Sequence, residues 1–342
     1  MRLPPPCDDA RAMNARALVL ATLVVTIAAC GSSAKPPVPP ATELPVAPVD
    51  RPAKASRPPL AKSSPPVPAP KPGPIVLEGF ATPESVLWDP VADVYLVSNI
   101  SGQPPVEDHD GFISKVSPEG TILELRFIDG KAEKNGLSAP KGTAIVGDVL
   151  WVADVSKVRT FDRTTGKAKD VIPLPGATFA NDVAVGADGA VYVSDMGVKS
   201  GPKGFEPSGS DAIWRIKDKK AEKVAKGPSL GRPNGLLVKD ADLYCVTFGT
   251  GELLHLGTDG KEKEKPVKAP GGSLDGIVLT SDGRLVFSSW EKQSIYARPL
   301  AGGEITVVKD GLKSPADIGY DAKRNRILVP LFEENKVVFI DL

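Results

Sequence analysis

The chain has 342 residues, 41% of them hydrophobic and 25% charged, with 42 Lys and Arg balancing 42 Asp and Glu. A net charge near zero, with basic residues scattered rather than clustered, speaks against nucleic acid as a partner. Three cysteines, two of them in the first 30 residues, give no ground for redox chemistry.

Residues 13–30 read MNARALVLATLVVTIAAC, a basic start at Arg16, an apolar run over 17–29 and a cysteine. Thirteen residues reach only about 20 Å as a helix, short of a hydrocarbon core of roughly 30 Å, so the stretch reads as a secretory signal rather than a membrane span. Its end, Ile27-Ala28-Ala29-Cys30, resembles the lipobox of bacterial lipoprotein signals. That resemblance implies cleavage before Cys30 and lipidation of its thiol; an ordinary signal cut elsewhere is the other reading. Gly31, rather than Asp, follows the cysteine, and the resemblance to such lipoproteins then implies a lipid-anchored protein of the outer membrane of the bacterial cell envelope, facing the periplasm. The n-region is odd, with Pro4-Pro5-Pro6 and Asp8-Asp9 ahead of Met13, so both Met1 and Met13 stand as candidate starts.

Residues 31–73 are proline-rich, with Ala, Lys and Ser between. Such a segment buries no core and favours polyproline II at about 3.1 Å per residue, a flexible tether on the order of 100 Å long. A passive tether explains it more simply than a partner-binding motif.

The remaining residues, 74–342, suffice for one domain, expected to be a monomer. Six short units recur there. They open at Pro83-Glu84-Ser85, Pro140-Lys141-Gly142, Ala180-Asn181-Asp182, Pro233-Asn234-Gly235, Leu274-Asp275-Gly276 and Pro315-Ala316-Asp317, at intervals of 57, 40, 53, 41 and 41 residues. Each opening strand is followed by a second apolar strand (YLVSNI from Tyr95, VYVSDM from Val191, LVFSSW from Leu285), then a third, and in five units a fourth. Four short strands per repeat predict an all-β, six-bladed β-propeller with four-stranded blades. The sixth unit stops at three strands, and PIVLEGF at 74–80 is predicted to complete it, closing the last blade with the N-terminal strand. No long amphipathic helix is expected in 75–342.

In such a ring the opening strands line the central channel. The position after the opening residue, held in turn by Glu84, Lys141, Asn181, Asn234, Asp275 and Ala316, then converges on one mouth. Segments 101–110 and 197–210 reach the same face and are candidate pocket walls. Glu84, Asn181, Asn234 and Asp275 offer two carboxylates and two amide carbonyls. This hard oxygen set with charge near −2 suits a divalent metal ion, Ca²⁺ first, with Zn²⁺, Mn²⁺ and Mg²⁺ as other candidates. Asn and Asp also begin strands simply by closing Asx turns, which would explain any one of them alone.

The segments PESVLWDP, FANDVAVGADGAVYVSD, RPNGLLV and SLDGIVLTSDGRLVFSS carry these four residues in order. They resemble the regucalcin (senescence marker protein), gluconolactonase and luciferin-regenerating-enzyme family of six-bladed β-propellers, over essentially all of 75–342. The resemblance implies a metal-dependent hydrolase of lactones or esters, with metal at Glu84, Asn181, Asn234 and Asp275 and with Asp275 as general base or nucleophile. A non-catalytic envelope propeller binding a ligand or protein at its mouth is the alternative. Lys141 departs from the family pattern: its ammonium could replace the ion by pairing with Glu84 or Asp275, or grip an anionic substrate beside it.

Lesser signals remain. His109, on the 101–110 segment, is a candidate proton shuttle or a solvated loop histidine. Phe248, Trp290 and Phe332 end successive second strands and read as inter-blade packing, otherwise as a substrate wall. Gly227-Pro228-Ser229-Leu230-Gly231 fits the G-x-S-x-G pattern but lacks the strand-to-helix setting that strains an esterase serine. Asp154 and Asp195 read as turn caps, His255 as a packing or surface residue within a third strand, and Cys245 as a buried, inert thiol.

Overall fold

The computed structural model describes residues 73–132, 134–202 and 204–342. The signal segment 1–30, lipidation at Cys30 and the tether up to residue 72 lie outside the described residues.

Six four-stranded antiparallel sheets stand in a ring, the six-bladed propeller that the repeats predict. The inner strands of the first five blades are Pro83–Asp89, Pro140–Val146, Ala180–Val185, Pro233–Lys239 and Leu274–Leu279. The sixth is reduced to Gly319–Asp321, preceded by isolated bridges at Pro315 and Asp317. Second strands such as Tyr95-Leu96-Val97 are buried on both faces because each blade is covered by its neighbours, so they read as unbroken apolar runs. The outermost strands, Lys220–Lys226 among them, are largely exposed and rich in Lys and Glu.

The last blade has the order Ile75–Glu78, Lys336–Asp341, Arg326–Leu331, Gly319–Asp321, so the strand that closes it comes from the N-terminal end of the domain. Ile75 pairs with Phe339 and Glu78 with Lys336. The seam with the first blade is packed by Leu77, Val86, Tyr95, Leu328, Val337 and Phe339. There the Tyr95 hydroxyl also donates to Asp321 Oδ2 at 2.6 Å.

The inner strands share one irregularity. In all five long ones the pairing register slips across the second residue of the opening, between Pro83 and Ser85, Pro140 and Thr143, Ala180 and Val183, Pro233 and Leu236, and Leu274 and Ile277. A bulge re-aims a side chain and leaves an N–H without its ladder partner. In three blades a serine of the second strand takes that N–H at 2.9 Å: Ser98 Oγ accepts from Ser85, Ser194 Oγ from Asp182 and Ser288 Oγ from Gly276.

The glycines after Lys141, Asn234 and Asp275 serve close approach rather than a turn. None of Gly142, Gly235 and Gly276 has a positive φ. A Cβ on Gly276 would lie 2.3 Å from the Ile318 nitrogen, and one on Gly235 2.3 Å from the Asp275 carbonyl oxygen. The inner strands therefore touch backbone to backbone around the axis, which leaves no space for a side chain.

Candidate functional site

At one end of the channel, Glu84, Lys141, Asn181, Asn234 and Asp275 form the polar floor of a cavity of about 340 Å³. They come from five successive blades, and the bulges just described bring them there. All five are buried, with Lys141 at 0% exposure. Ala316, also buried, presents no donor.

Three floor oxygens, Glu84 Oε2, Asn234 Oδ1 and Asp275 Oδ1, are buried without a hydrogen-bond partner. The two amides are turned by Met196: Asn181 Nδ2 donates to its sulfur at 3.8 Å and Asn234 Nδ2 at 4.0 Å. Orphaned buried oxygens are costly unless something with positive charge meets them. Among the described residues no three His, Cys, Asp or Glu side chains cluster as a metal site by themselves. The set here is two carboxylates and two amides, and its hard, partly unpartnered oxygens fit a divalent cation.

Burial and mutual repulsion set the charge state of these carboxyls. Burial holds the Glu84 carboxyl well above the usual range, helped by repulsion from Asp275, Asp317 and Asp182 and opposed by Lys141. Burial pushes Asp275 up to about 8, with Asp182 adding to the shift; Trp290 and Asn234 favour the charged form, although the Trp290 N–H completes no hydrogen bond. Deeper along the axis, burial raises Asp182 to about 6 and lifts Asp317 well above its ordinary value. Asp182 accepts the Leu236 N–H at 2.6 Å, and Asp317 accepts the Ser85 hydroxyl. Four acids thus face one another in a space where a single ammonium is the only opposing side-chain charge among the described residues.

Lys141 does not pair with them. Its Nζ donates to the carbonyls of Pro104 and Ala139, both at 3.1 Å, and sits 4.3 Å from the centroid of Phe179. Among the described residues no carboxylate lies within ion-pair distance of it. Burial lowers its pKa to about 8, against the pull of Glu84.

Above the floor the wall is aromatic: Phe179, Phe205, Phe248, Trp290 and Phe332, with Met196 and Ile100. Phe248 meets Trp290 edge-on with centroids 5.7 Å apart, and Trp290 meets Phe332 at 5.2 Å. These three therefore pack between blades and line the cavity at once. The 197–210 segment is a β-hairpin, Val198–Gly201 with Gly204–Pro207, that carries Phe205 to the wall. The 101–110 segment contributes Gln103 and Pro104. His109 is exposed and does not line the cavity; its backbone N–H donates to Ser138 Oγ.

Other sequence signals resolve structurally. Asp154 accepts the N–H groups of Ser138 and Ala139, and Asp195 those of Thr178 and Phe179, as caps on incoming linkers. Pro228–Leu230 is one 3₁₀ turn between blades, with Ser229 exposed. His255 stacks on Tyr244 at 4.5 Å, and Cys245 is buried, its thiol pushed strongly up by burial. Phe179, Met196 and Phe205 escaped sequence reasoning, as did the serines behind the bulges. For the serines a signal was present, in the repeated Ser of VSN, VSD and FSS.

No family model matches the sequence, and no curated protein does. The fold is similar to that of a gluconolactonase from Xanthomonas campestris, at 19% identity over 79% of this chain and 89% of that one, with a TM-score of 0.62. It is also similar to virginiamycin B lyase from Staphylococcus aureus, at 16% identity over 79% and 100% of the two chains, TM-score 0.54. A chain of the nidogen–laminin complex matches at 14% identity over 79% and 90%, TM-score 0.53. At these identities the likeness is one of fold: this chain is a six-bladed propeller of gluconolactonase-like architecture.

Proposed function

We propose that the domain hydrolyses a lactone or ester at the aromatic-walled mouth, with a divalent cation, Ca²⁺ first, held by Glu84, Asn181, Asn234 and Asp275. The observation that carries this reading is the convergence of three unpartnered buried oxygens from three blades on one cavity floor. That Lys141 donates to two carbonyls instead of Glu84 leaves those oxygens open to a cation. When bound, such a cation polarises a carbonyl and lowers the pKa of water.

The chain's own groups do the rest. With one of its oxygens on the cation, the Asp275 carboxylate would take the proton of the attacking water through the other and return it to the leaving oxygen as the acyl C–O bond breaks. The amides of Asn181 and Asn234, fixed by Met196, keep their oxygens in place through the cycle. The aromatic wall keeps bulk water from the floor. Lys141 anchors the 101–110 segment through Pro104 and contributes a positive charge beneath the substrate. Lipidation at Cys30, with the resulting place in the outer membrane, remains part of the proposal on the leader sequence alone.

The test is metal content and turnover of the purified chain beside Asp275→Ala and Glu84→Ala. About one divalent ion per chain, with lactone or ester hydrolysis abolished by chelation and by Asp275→Ala, is expected. Full activity after chelation and dialysis overturns the reading. A non-catalytic propeller that binds its ligand at the same mouth is the second reading. It is favoured by the raised pKa of Asp275, which keeps the would-be base protonated at neutral pH when no cation is present.

A further inference from the structure

The wall and floor of the cavity differ sharply in what they offer a ligand. The wall consists of Phe179, Phe205, Phe248, Trp290, Phe332 and Met196, without a hydroxyl or carboxylate among them. Several donors of the floor are directed at protein atoms. Lys141 Nζ gives two hydrogen bonds to carbonyls and faces the Phe179 ring. The Asn181 and Asn234 amides each turn an N–H to the Met196 sulfur, while the Trp290 N–H is buried without a hydrogen-bond partner. Away from the floor and the Trp290 indole, Gln103, exposed at the rim, is the remaining polar side chain among the lining residues.

A ligand with many hydroxyl groups would have to bury them against rings that cannot replace their hydrogen bonds to water, and a site rejects what it cannot pair. A ligand with one carbonyl and an apolar body meets no such obstacle: its oxygen goes to the floor and its carbons to the wall. Phe205 adds an independent sign. It stands on the hairpin of the third blade, 47% exposed, meeting Phe179 edge-on at 5.5 Å and otherwise open at the cavity rim. An apolar body in the cavity would cover that exposed face.

We propose that the substrate, on the hydrolase reading above, is a lactone or ester with an aromatic or aliphatic body, and not a polyhydroxylated sugar lactone. Water adds to the carbonyl carbon, the ring or ester C–O bond breaks, and the products are an apolar hydroxy acid, or an acid and an alcohol.

The experiment uses the full-length chain with Ca²⁺ and two readouts. Initial rates are compared for δ-decalactone, phenyl acetate and glucono-δ-lactone. Binding of the ring-opened products, 5-hydroxydecanoate and gluconate, is followed by tryptophan fluorescence, with Trp290→Phe identifying the signal from the cavity. The expected result is preference for the apolar substrates and products by tenfold or more. Phe205→Ser should weaken 5-hydroxydecanoate by roughly tenfold, from the apolar area lost, while Phe205→Leu restores most of it. Preference for glucono-δ-lactone, or indifference to Phe205→Ser in a chain that melts as wild type, overturns the substrate class while leaving the hydrolase standing. Selective binding of 5-hydroxydecanoate with no hydrolysis of any probe supports the apolar cavity and overturns the hydrolase. Neither binding nor turnover overturns both.

Discussion

The Lys141 ammonium donates to the carbonyl of Pro104, 37 residues earlier, at 3.1 Å, although two carboxylates share the same cavity floor. The bond ties the 101–110 segment to the inner strand of the second blade and spends the ammonium on backbone instead of on Glu84.

Lys141→Met should therefore leave the chain folded and the cation site intact. Removing a neighbouring positive charge should tighten Ca²⁺ by roughly three- to tenfold. Calorimetric titration reads the affinity, and limited proteolysis should cut the freed 101–110 segment faster. Loss of Ca²⁺ binding in this variant would mean that Lys141 organises the floor rather than the loop.

Glu84→Gln and Asp275→Asn keep the shape of the floor while removing its charge. Each should cut divalent-ion content from about one per chain to below detection. Without added metal, each should raise stability by about 1–2 kcal/mol, because a carboxyl that must take up a proton to be buried without a cation is replaced by a neutral amide. Elemental analysis and thermal melts with and without EDTA check both. Melting lower than wild type in EDTA would show that the carboxylates have partners of their own.

The pH dependence follows from the sign of the shifts. Asp275 titrates near 4 when unfolded and at about 8 when folded without cation; Asp182 moves the same way, to about 6. Groups raised on folding contribute stability that is complete below the unfolded value and lost as pH climbs through the folded one. Cation-free protein should therefore melt progressively lower from pH 5 to 8. Lys141, lowered to about 8, acts with the opposite sign above that pH and should offset part of the further decline that Glu84 and Asp317 bring. Saturating Ca²⁺, which binds the ionised carboxylates, should raise the melting temperature by more at pH 8 than at pH 5. A constant offset between the two curves would place the ion elsewhere.

Gly276→Ala tests the close packing at the axis. The new Cβ would sit 2.3 Å from the Ile318 nitrogen, backbone that cannot yield without parting the fifth and sixth blades. A loss of about 3 kcal/mol or more is expected, measured by urea unfolding. At Gly283, where a Cβ meets open space, the price is the strained φ of +80° alone, so Gly283→Ala should cost about 1–2 kcal/mol.

The architecture was legible because each blade repeats one pattern, and a sixth unit with three strands demands a fourth from elsewhere. The floor was legible for a related reason: Glu84, Asn181, Asn234 and Asp275 occupy the same place in successive repeats, so alignment of the units exposes them. The wall was not. Phe179 lies on a linker, Phe205 on a hairpin inserted in one blade, and Met196 just past a strand end, so no period relates them. Phe248, Trp290 and Phe332 are in register, but a ring that fills a seam and a ring that lines a cavity leave the same mark in sequence. The glycines after the floor residues carried the opposite risk. Asn-Gly and Asp-Gly are turn signals, and here they mark backbones in contact.

The pairing of Ile75 with Phe339 puts the first and last strands of the domain side by side. The ring has no beginning as an object; the polypeptide merely has to be severed somewhere around it, and the severance falls within the sixth blade. A short linker from Leu342 back to Gly73, with the chain reopened at the 3₁₀ turn of Pro228–Leu230, would read the blades in a new order yet present the same floor to the same mouth. Which blade is translated first is thus a matter of gene layout, while the arrangement of the five floor residues belongs to the circle.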